Sequence, residues 1–292
     1  MFDYHMPLYR PPSEGRNLIF QATLGCSFNQ CSFCSMYKSK RYQARPWEIL
    51  QGEIDQAAQL WPDTDRVFLA DGDALALPTD HLVKILQRLE SAFPELTRVS
   101  CYATPANIRR KSLPELIQLR RHRLNLLYLG IESGSDLILK KITKGATSRS
   151  IGEAMDQVFV SEIKLSATVI LGLGGQKYWQ EHIDGTVDLL NRAPATYVST
   201  LQLYLEPSVF TEFMKKFGEP FELQDDRGVL HEQARLLSGL APPHPFVFRS
   251  NHASNALALA GTIPKDRERL LKTIRSALEG DGALRPSYLR GL

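Results

Sequence analysis

Three cysteines share one short segment, Cys26, Cys31 and Cys34, in the run Leu24-Gly25-Cys26-Ser27-Phe28-Asn29-Gln30-Cys31-Ser32-Phe33-Cys34, and the chain holds only one other, Cys101. A structural zinc site usually wants four protein ligands, so three thiolates do not close one. Three thiolates can hold three corners of a four-iron cluster. Such clusters are normally held by four cysteines, so a missing fourth leaves one iron open to another ligand.

Further residues with chemical reach stand just after apolar runs. Asp71-Gly72-Asp73 follows Arg66 to Ala70, and Glu132-Ser133-Gly134 follows Asn125 to Ile131. Gly172 and Gly174-Gly175 follow Lys164 to Leu171, and Tyr204 and Glu206 follow Tyr197 to Leu203. Cys101 and Tyr102 end the run Arg98 to Tyr102. The apolar runs read as strands, and the first of them, Asn17 to Leu24, leads into Cys26.

Between these runs lie helical patterns, at Pro46 to Leu60, Pro78 to Ala92, Ser112 to Arg121, Asp136 to Ile142, Arg149 to Val160 and Trp179 to Asn191. Two more follow near Val209 to Phe217 and Asp225 to Leu240. Strands alternating with helices imply parallel pairing through crossover helices. Six such units suit an open relative of the eight-fold barrel, and a doubly wound sheet gives a similar string. In a barrel the active site lies at the carboxyl ends of the strands, where the polar and glycine residues above fall.

The chain of 292 residues is 43% hydrophobic and 23% charged, an ordinary globular composition. A net charge of +3 gives no support to a nucleic-acid partner, and the basic runs Arg109-Arg110-Lys111 and Arg120-Arg121-His122-Arg123 read as solvated helix ends. No apolar stretch approaches the ~18 residues of a membrane span. The start carries no basic-then-apolar leader, and clustered reduced cysteines without one fit the cytoplasm.

The cysteine segment resembles the cluster loop of the radical S-adenosylmethionine enzymes, whose usual spacing is Cys-x3-Cys-x2-Cys with an aromatic residue before the last Cys. Phe33 fills that aromatic position, while the first gap here holds one residue more. The resemblance runs from about residue 17 to 205 and implies an α/β fold, a partial (β/α)6 TIM-type barrel with a short C-terminal extension. The expected organisation is an N-terminal arm at 1–16, the barrel at 17–240 and the extension at 241–292, packed on the barrel. The arm, with its aromatics and prolines, suits a cover for the barrel mouth.

The resemblance also implies the cofactors, a [4Fe-4S] cluster on Cys26, Cys31 and Cys34 and S-adenosylmethionine at the open iron. Asp71-Gly72-Asp73-Ala74 resembles the family's Gly-Gly-Glu-Pro turn, which binds the amino group of S-adenosylmethionine, and Gly72 and Asp73 match its second glycine and its acid. The plain alternative is a strand-to-helix turn with an acidic cap. Gly130 to Asp136 resembles the fourth-strand segment of oxygen-independent coproporphyrinogen oxidases and methylthiotransferases, which places Glu132 at ribose hydroxyls and Ser133 at the methionyl carboxylate. Ser135 or Asp136 would alternatively cap the helix that follows. Val169 to Gly175 resembles the glycine motif against which adenine packs, with Gly172 in it. Lys141 and Arg149 are further candidates for the methionyl carboxylate, and Tyr204 for the cofactor rim.

Two residues are candidates for the chemical step itself. Cys101 reads first as a small buried residue, and alternatively as a radical-quenching thiol or a substrate contact. The segment Arg249-Ser250-Asn251-His252 follows the apolar Phe246-Val247-Phe248 and is either a capped turn or a substrate rim containing His252. The implied reaction is reductive cleavage of S-adenosylmethionine to a 5′-deoxyadenosyl radical that abstracts hydrogen from a small-molecule substrate. An electron donor such as ferredoxin or flavodoxin is the implied partner. The other readings are a non-catalytic iron–sulfur electron carrier and an RNA-modifying enzyme of the same superfamily.

Overall fold

The computed structural model describes residues 2, 4–280 and 284–290. Met1, Asp3, 281–283 and 291–292, which belong to the expected arm and extension, lie outside the described residues. The chain divides into two compact units, one of residues 1–29, 34–129 and 157–165, the other of 30–33, 130–156 and 166–292.

In the first unit β1 (Leu18–Gln21) is short, because Thr23 and Leu24 turn away as β2 (Thr23–Leu24) and pair antiparallel with β3 (Gln43–Ala44). The continuous first strand expected from the sequence is therefore broken after Gln21. β1 pairs in parallel with β4 (Arg66–Ala70), β4 with β5 (Arg98–Ala103), and β5 with β6 (Leu124–Glu132). Four consecutive residues of β4, Val67 to Ala70, are fully buried, as a parallel strand covered on both faces requires.

The covering helices are α1 (Trp47–Leu60), α2 (Thr79–Ala92), α3 (Pro105–Arg110) and α4 (Leu113–Arg121). α2 buries Leu82, Ile85, Leu86 and Leu89, a stripe at helical spacing. α4 begins at a capping box in which Ser112 and Glu115 satisfy each other's backbone amides. α3 was not expected from the sequence, although Thr104 caps it through the Asn107 N–H at 3.2 Å and Pro105 supplies its first turn.

The N-terminal arm is tied to the first unit. The Tyr4 hydroxyl donates to the Ile19 carbonyl at 2.8 Å, and His5 and Gln21 exchange hydrogen bonds of 2.8 and 3.0 Å. Glu14 is fully buried and accepts from Arg98 at 3.0 Å and from the Tyr128 hydroxyl.

The second unit runs in parallel through β7 (Lys164–Leu171, whose first two residues lie in the first unit), β8 (Tyr197–Gln202) and β9 (Phe246–Ser250), and β10 (Leu259–Ile263) pairs antiparallel with β9. Its helices are α5 (Asp136–Lys141), α6 (Ser148–Val160, whose last turn lies in the first unit), α7 (Trp179–Arg192), α8 (Pro207–Phe217), α9 (Asp226–Gly239) and α10 (Arg267–Glu279). The residues after 241 thus continue the sheet from β8, and β10 is an element the sequence reading lacked. Asn255 joins that edge to β8. Its side chain donates to the Thr200 carbonyl at 2.7 Å and accepts from the Gln202 N–H at 2.7 Å.

Candidate functional site

In the first unit the segment after β1 and the turn after β4 are bound together. Gly72 lies so close to the chain at Cys26 that a Cβ there would stand 2.7 Å from Cys26 Cα. Asp73 Oδ1 accepts the Ser27 N–H at 3.0 Å, and its Oδ2 accepts the Ser27 hydroxyl and the Asn107 amide, the latter at 2.6 Å. Burial pushes the Asp73 carboxyl up, while the bonds from Ser27 and Asn107 pull it down. Asp71 is fully buried and accepts Lys40 Nζ at 2.7 Å, and the same ammonium donates to the carbonyls of His5 and Pro7 at 2.7 and 2.5 Å.

Cys26, Cys31 and Cys34 are each half-buried, Cys101 is buried, and none of the four is in a disulfide. Cys101 lies inside β5 opposite Leu69 and Leu127, not at the strand's end. Burial, reinforced by Asp73, pushes its thiol up to about 12, so it stays protonated at neutral pH.

In the second unit Ser32 N–H donates to the Ile142 carbonyl at 2.9 Å, and Phe33 packs against the cluster of Ile138, Ile142, Leu173, Phe213 and Phe217. Glu132 ends β6 with φ 61, a left-handed conformation uncommon outside glycine and concentrated at functional sites. Its carboxylate pairs with Lys144 at 2.9 Å. Ser133 is fully buried, and its hydroxyl lies 2.8 Å from His182 Nδ1. His182 Nε2 lies 3.0 Å from the Ile170 carbonyl, which fixes the proton there and leaves Nδ1 to accept from Ser133. Burial lowers His182 to about 4, so the ring is neutral. The Ser133 hydroxyl therefore serves α7, which is the structural alternative to a cofactor contact.

Gly172 adopts φ 86, and its N–H donates to Glu232 Oε2 at 2.7 Å. Glu232 sits fully buried on α9, and burial raises its carboxyl to about 8. Lys141 is bonded to Glu219 and to the Phe217 carbonyl. The Arg149 side chain is 88% exposed beside Glu153, and Tyr204 is 56% exposed. Neither is drawn into the hydrogen-bonded groups above. His252 is half-buried with Nδ1 2.8 Å from Ser254 Oγ, the capped-turn arrangement, while Arg249 and Asn251 are exposed.

The model of the Radical SAM superfamily matches residues 20–190, more than half of the chain. The chain belongs to the radical SAM superfamily. Members use a [4Fe-4S] cluster and S-adenosylmethionine, and membership supports reductive cleavage chemistry. Among curated relatives, the radical SAM chain is 23% identical over 209 residues to the heme chaperone HemW of Bacillus subtilis (strain 168), covering 71% of this chain and 54% of the relative. It is 24% identical over 202 residues to the tRNA-2-methylthio-N(6)-dimethylallyladenosine synthase of Corynebacterium glutamicum, covering 63% and 37%. The chain thus spans about half the length, or less, of these relatives.

Among solved structures, coproporphyrinogen III oxidase (HemN) from Escherichia coli matches with a TM-score of 0.59 and 17% identity over 76% of this chain and 52% of that one. The cobalamin-dependent radical enzyme OxsB matches with a TM-score of 0.51 and 19% identity over 69% and 30%. These likenesses place the fold in the partial-barrel class of radical SAM enzymes and set aside the doubly wound sheet.

The donor set of the segment fits the cluster that the superfamily uses. Among the described residues no three His, Cys, Asp or Glu side chains converge as ligands of one ion. A cluster makes a different demand, because each thiolate meets its own iron. The Ser32 hydroxyl, between Cys31 and Cys34, is buried with no hydrogen-bond partner among the described residues, a donor left over for a group bound at this loop.

In each unit, partners of the expected site residues were not foreseen from the sequence. Asn107 carried a signal, since Thr104-Pro105 announces a helix start that would bring it near the strand end. Lys40, Lys144, His182 and Glu232 carried none, because nothing local distinguishes a buried ionisable side chain from a solvated one.

Proposed function

We propose that this chain is a radical SAM enzyme in which Cys26, Cys31 and Cys34 ligate three irons of a [4Fe-4S] cluster and S-adenosylmethionine occupies the fourth. When bound, the pair supplies one-electron cleavage of the sulfonium carbon–sulfur bond, giving methionine and a 5′-deoxyadenosyl radical that takes hydrogen from a small-molecule substrate. The observation that carries this reading is the docking of the cysteine-bearing segment, at Gly25 to Ser27, onto the Asp71-Gly72-Asp73 turn at the carboxyl end of β4.

The chain's own residues divide the work. The turn carbonyls and the remaining acceptor capacity of Asp73 suit the ammonium of the methionyl group. Glu132, 8% exposed, is an acceptor for ribose hydroxyls, with Lys144 beside it. Gly172, held by Glu232, presents bare backbone to a flat base. Phe33 and its apolar neighbours exclude water from the loop. A small reductant protein such as ferredoxin or flavodoxin delivers the electron.

The likeness to the tRNA methylthio synthase favours a second reading, modification of RNA. Salt-dependent binding of transfer RNA would support it. The first reading is tested by anaerobic incubation of reconstituted protein with S-adenosylmethionine, a strong reductant and fractionated cell extract. It requires 5′-deoxyadenosine that rises with one small-molecule fraction. A rise confined to the RNA fraction transfers the case to the second reading, and no 5′-deoxyadenosine with any fraction rejects both.

A further inference from the structure

We infer that the Asp71-Gly72-Asp73 turn is a clamp on both ends of the cysteine loop, with Asn107 as the positioning residue that completes it. The inference rests on the reading of Cys26 and Cys34 as cluster ligands.

The two carboxylates, two residues apart, grip the loop at two separated places. Asp73 holds Ser27, the residue after Cys26, by its N–H at 3.0 Å and by its hydroxyl. Asp71 holds Lys40, beyond Cys34, in an ion pair of 2.7 Å whose side chains are 2% and 0% exposed. Between them Gly72 packs against Cys26, with 2.8 Å from its notional Cβ to the Cys26 Cβ. Within the loop, Asn29 closes the far end on itself through the Tyr37 carbonyl at 2.7 Å. Asn107 donates to Asp73 Oδ2 at 2.6 Å and lies 3.3 Å from Ser27 Oγ, so α3 locks the acid and its ligand together.

Each acid is thus engaged within the protein. Asp71 is matched by a buried ammonium, and Asp73 receives three donors out of about four acceptor sites. A turn whose task was only to meet a ligand's ammonium would keep its acceptors open. Charge-assisted bonds to buried carboxylates are strong and directional, so they hold the loop near its final shape before any iron arrives. This also gives the Asp-Gly-Asp sequence a physical explanation. The enlarged loop is anchored by side chains at its ends.

The test uses the iron-free wild-type chain and the reconstituted enzyme. In the iron-free chain, hydrogen exchange should find the Ser27 amide protected. In the reconstituted enzyme, Asn107→Ala should release iron to a chelator roughly tenfold faster than wild type, the scale of one lost charge-assisted bond. The g-values of its reduced cluster should shift. A control, Leu116→Ala, at a fully buried position on α4, should lower the melting temperature without moving the g-values. Ser27→Ala combined with Asn107→Ala should release iron more slowly than the product of the two single effects, since both residues act on one carboxylate. An unprotected Ser27 amide in the iron-free chain overturns the inference, as does iron release from Asn107→Ala at the wild-type rate. Should Asn107→Ala not fold, the wild-type exchange decides alone. Wild-type protein that takes up no iron would sink the ligand reading instead, and the amide measurement is independent of that outcome.

Discussion

Glu132 and Lys144 face each other at 2.9 Å across the space that Gly130 leaves open. A Cβ on Gly130 would collide with Glu132 Oε1 and come within 2.9 Å of its carboxyl carbon. The carboxylate thus fills the place that a side chain at Gly130 would take, at the end of β6 in a left-handed backbone. As a cofactor contact, Glu132→Gln is expected to weaken S-adenosylmethionine binding by about tenfold to a hundredfold, the loss of one charge-assisted bond. Iron content should stay at the wild-type level. Gly130→Ala should act in the same direction by displacing the carboxylate. Equilibrium binding of the two variants checks this, and unchanged affinity in both places Glu132 outside the cofactor site.

Lys40 and Asp71 form an ion pair shielded from water. Removing one partner strands the other charge, which typically costs about 3–5 kcal/mol. Lys40→Met should lower the unfolding free energy by that order in a urea titration. A loss below about 1 kcal/mol, the worth of a surface pair, would mean that water reaches Asp71.

Glu232 sets a pH dependence of stability. Burial raises its folded pKa to about 8 from an ordinary 4.5, so the folded chain keeps a proton that the unfolded chain releases. The resulting stability is complete below the unfolded value and is lost as pH rises from about 4.5 through 8. Glu232→Gln, neutral at every pH, should escape that loss, so its stability relative to wild type should rise by roughly 4–5 kcal/mol between pH 4.5 and a pH above 8. Thermal melts across pH check it, and equal pH profiles for both proteins contradict it.

The segment after β9 separates a structural from a substrate role. Asn255 is 4% exposed and serves Thr200, Gln202 and Ser250. Asn255→Ala should cost about 1–3 kcal/mol by stranding those groups. Exposed Asn251 takes part in none of these bonds, and Asn251→Ala should leave the melting temperature near wild type. As a substrate contact, Asn251 should be needed for the extra S-adenosylmethionine cleavage that substrate provokes. Normal stimulation in Asn251→Ala removes it from the site.

The strand–helix alternation was legible because buried parallel strands are unbroken apolar runs and their covering helices are amphipathic. Lys164 to Leu171 and Trp179 onward fall where the sequence set them. β10 was hidden because Leu259-Ala260-Gly261-Thr262-Ile263 mixes small and polar residues on an edge strand. α3 was hidden by its length of six residues, too short for a periodic stripe. At the site, the cysteine spacing and the strand-end carboxylates could be read directly. Their partners could not, because Lys40 reaches Asp71 across 31 positions and Glu232 reaches Gly172 across 60. Pairings of that range are set by the fold.

The central claim is that three cysteines hold a cluster with one open iron. The most direct measurement is iron content after anaerobic reconstitution, in wild type and in four single Cys→Ala variants. Wild type and Cys101→Ala should each retain about four irons per chain, and Cys26→Ala, Cys31→Ala and Cys34→Ala should each lose most of theirs. Loss of the cluster in Cys101→Ala would make Cys101 the fourth ligand, close the open iron, and contradict the account.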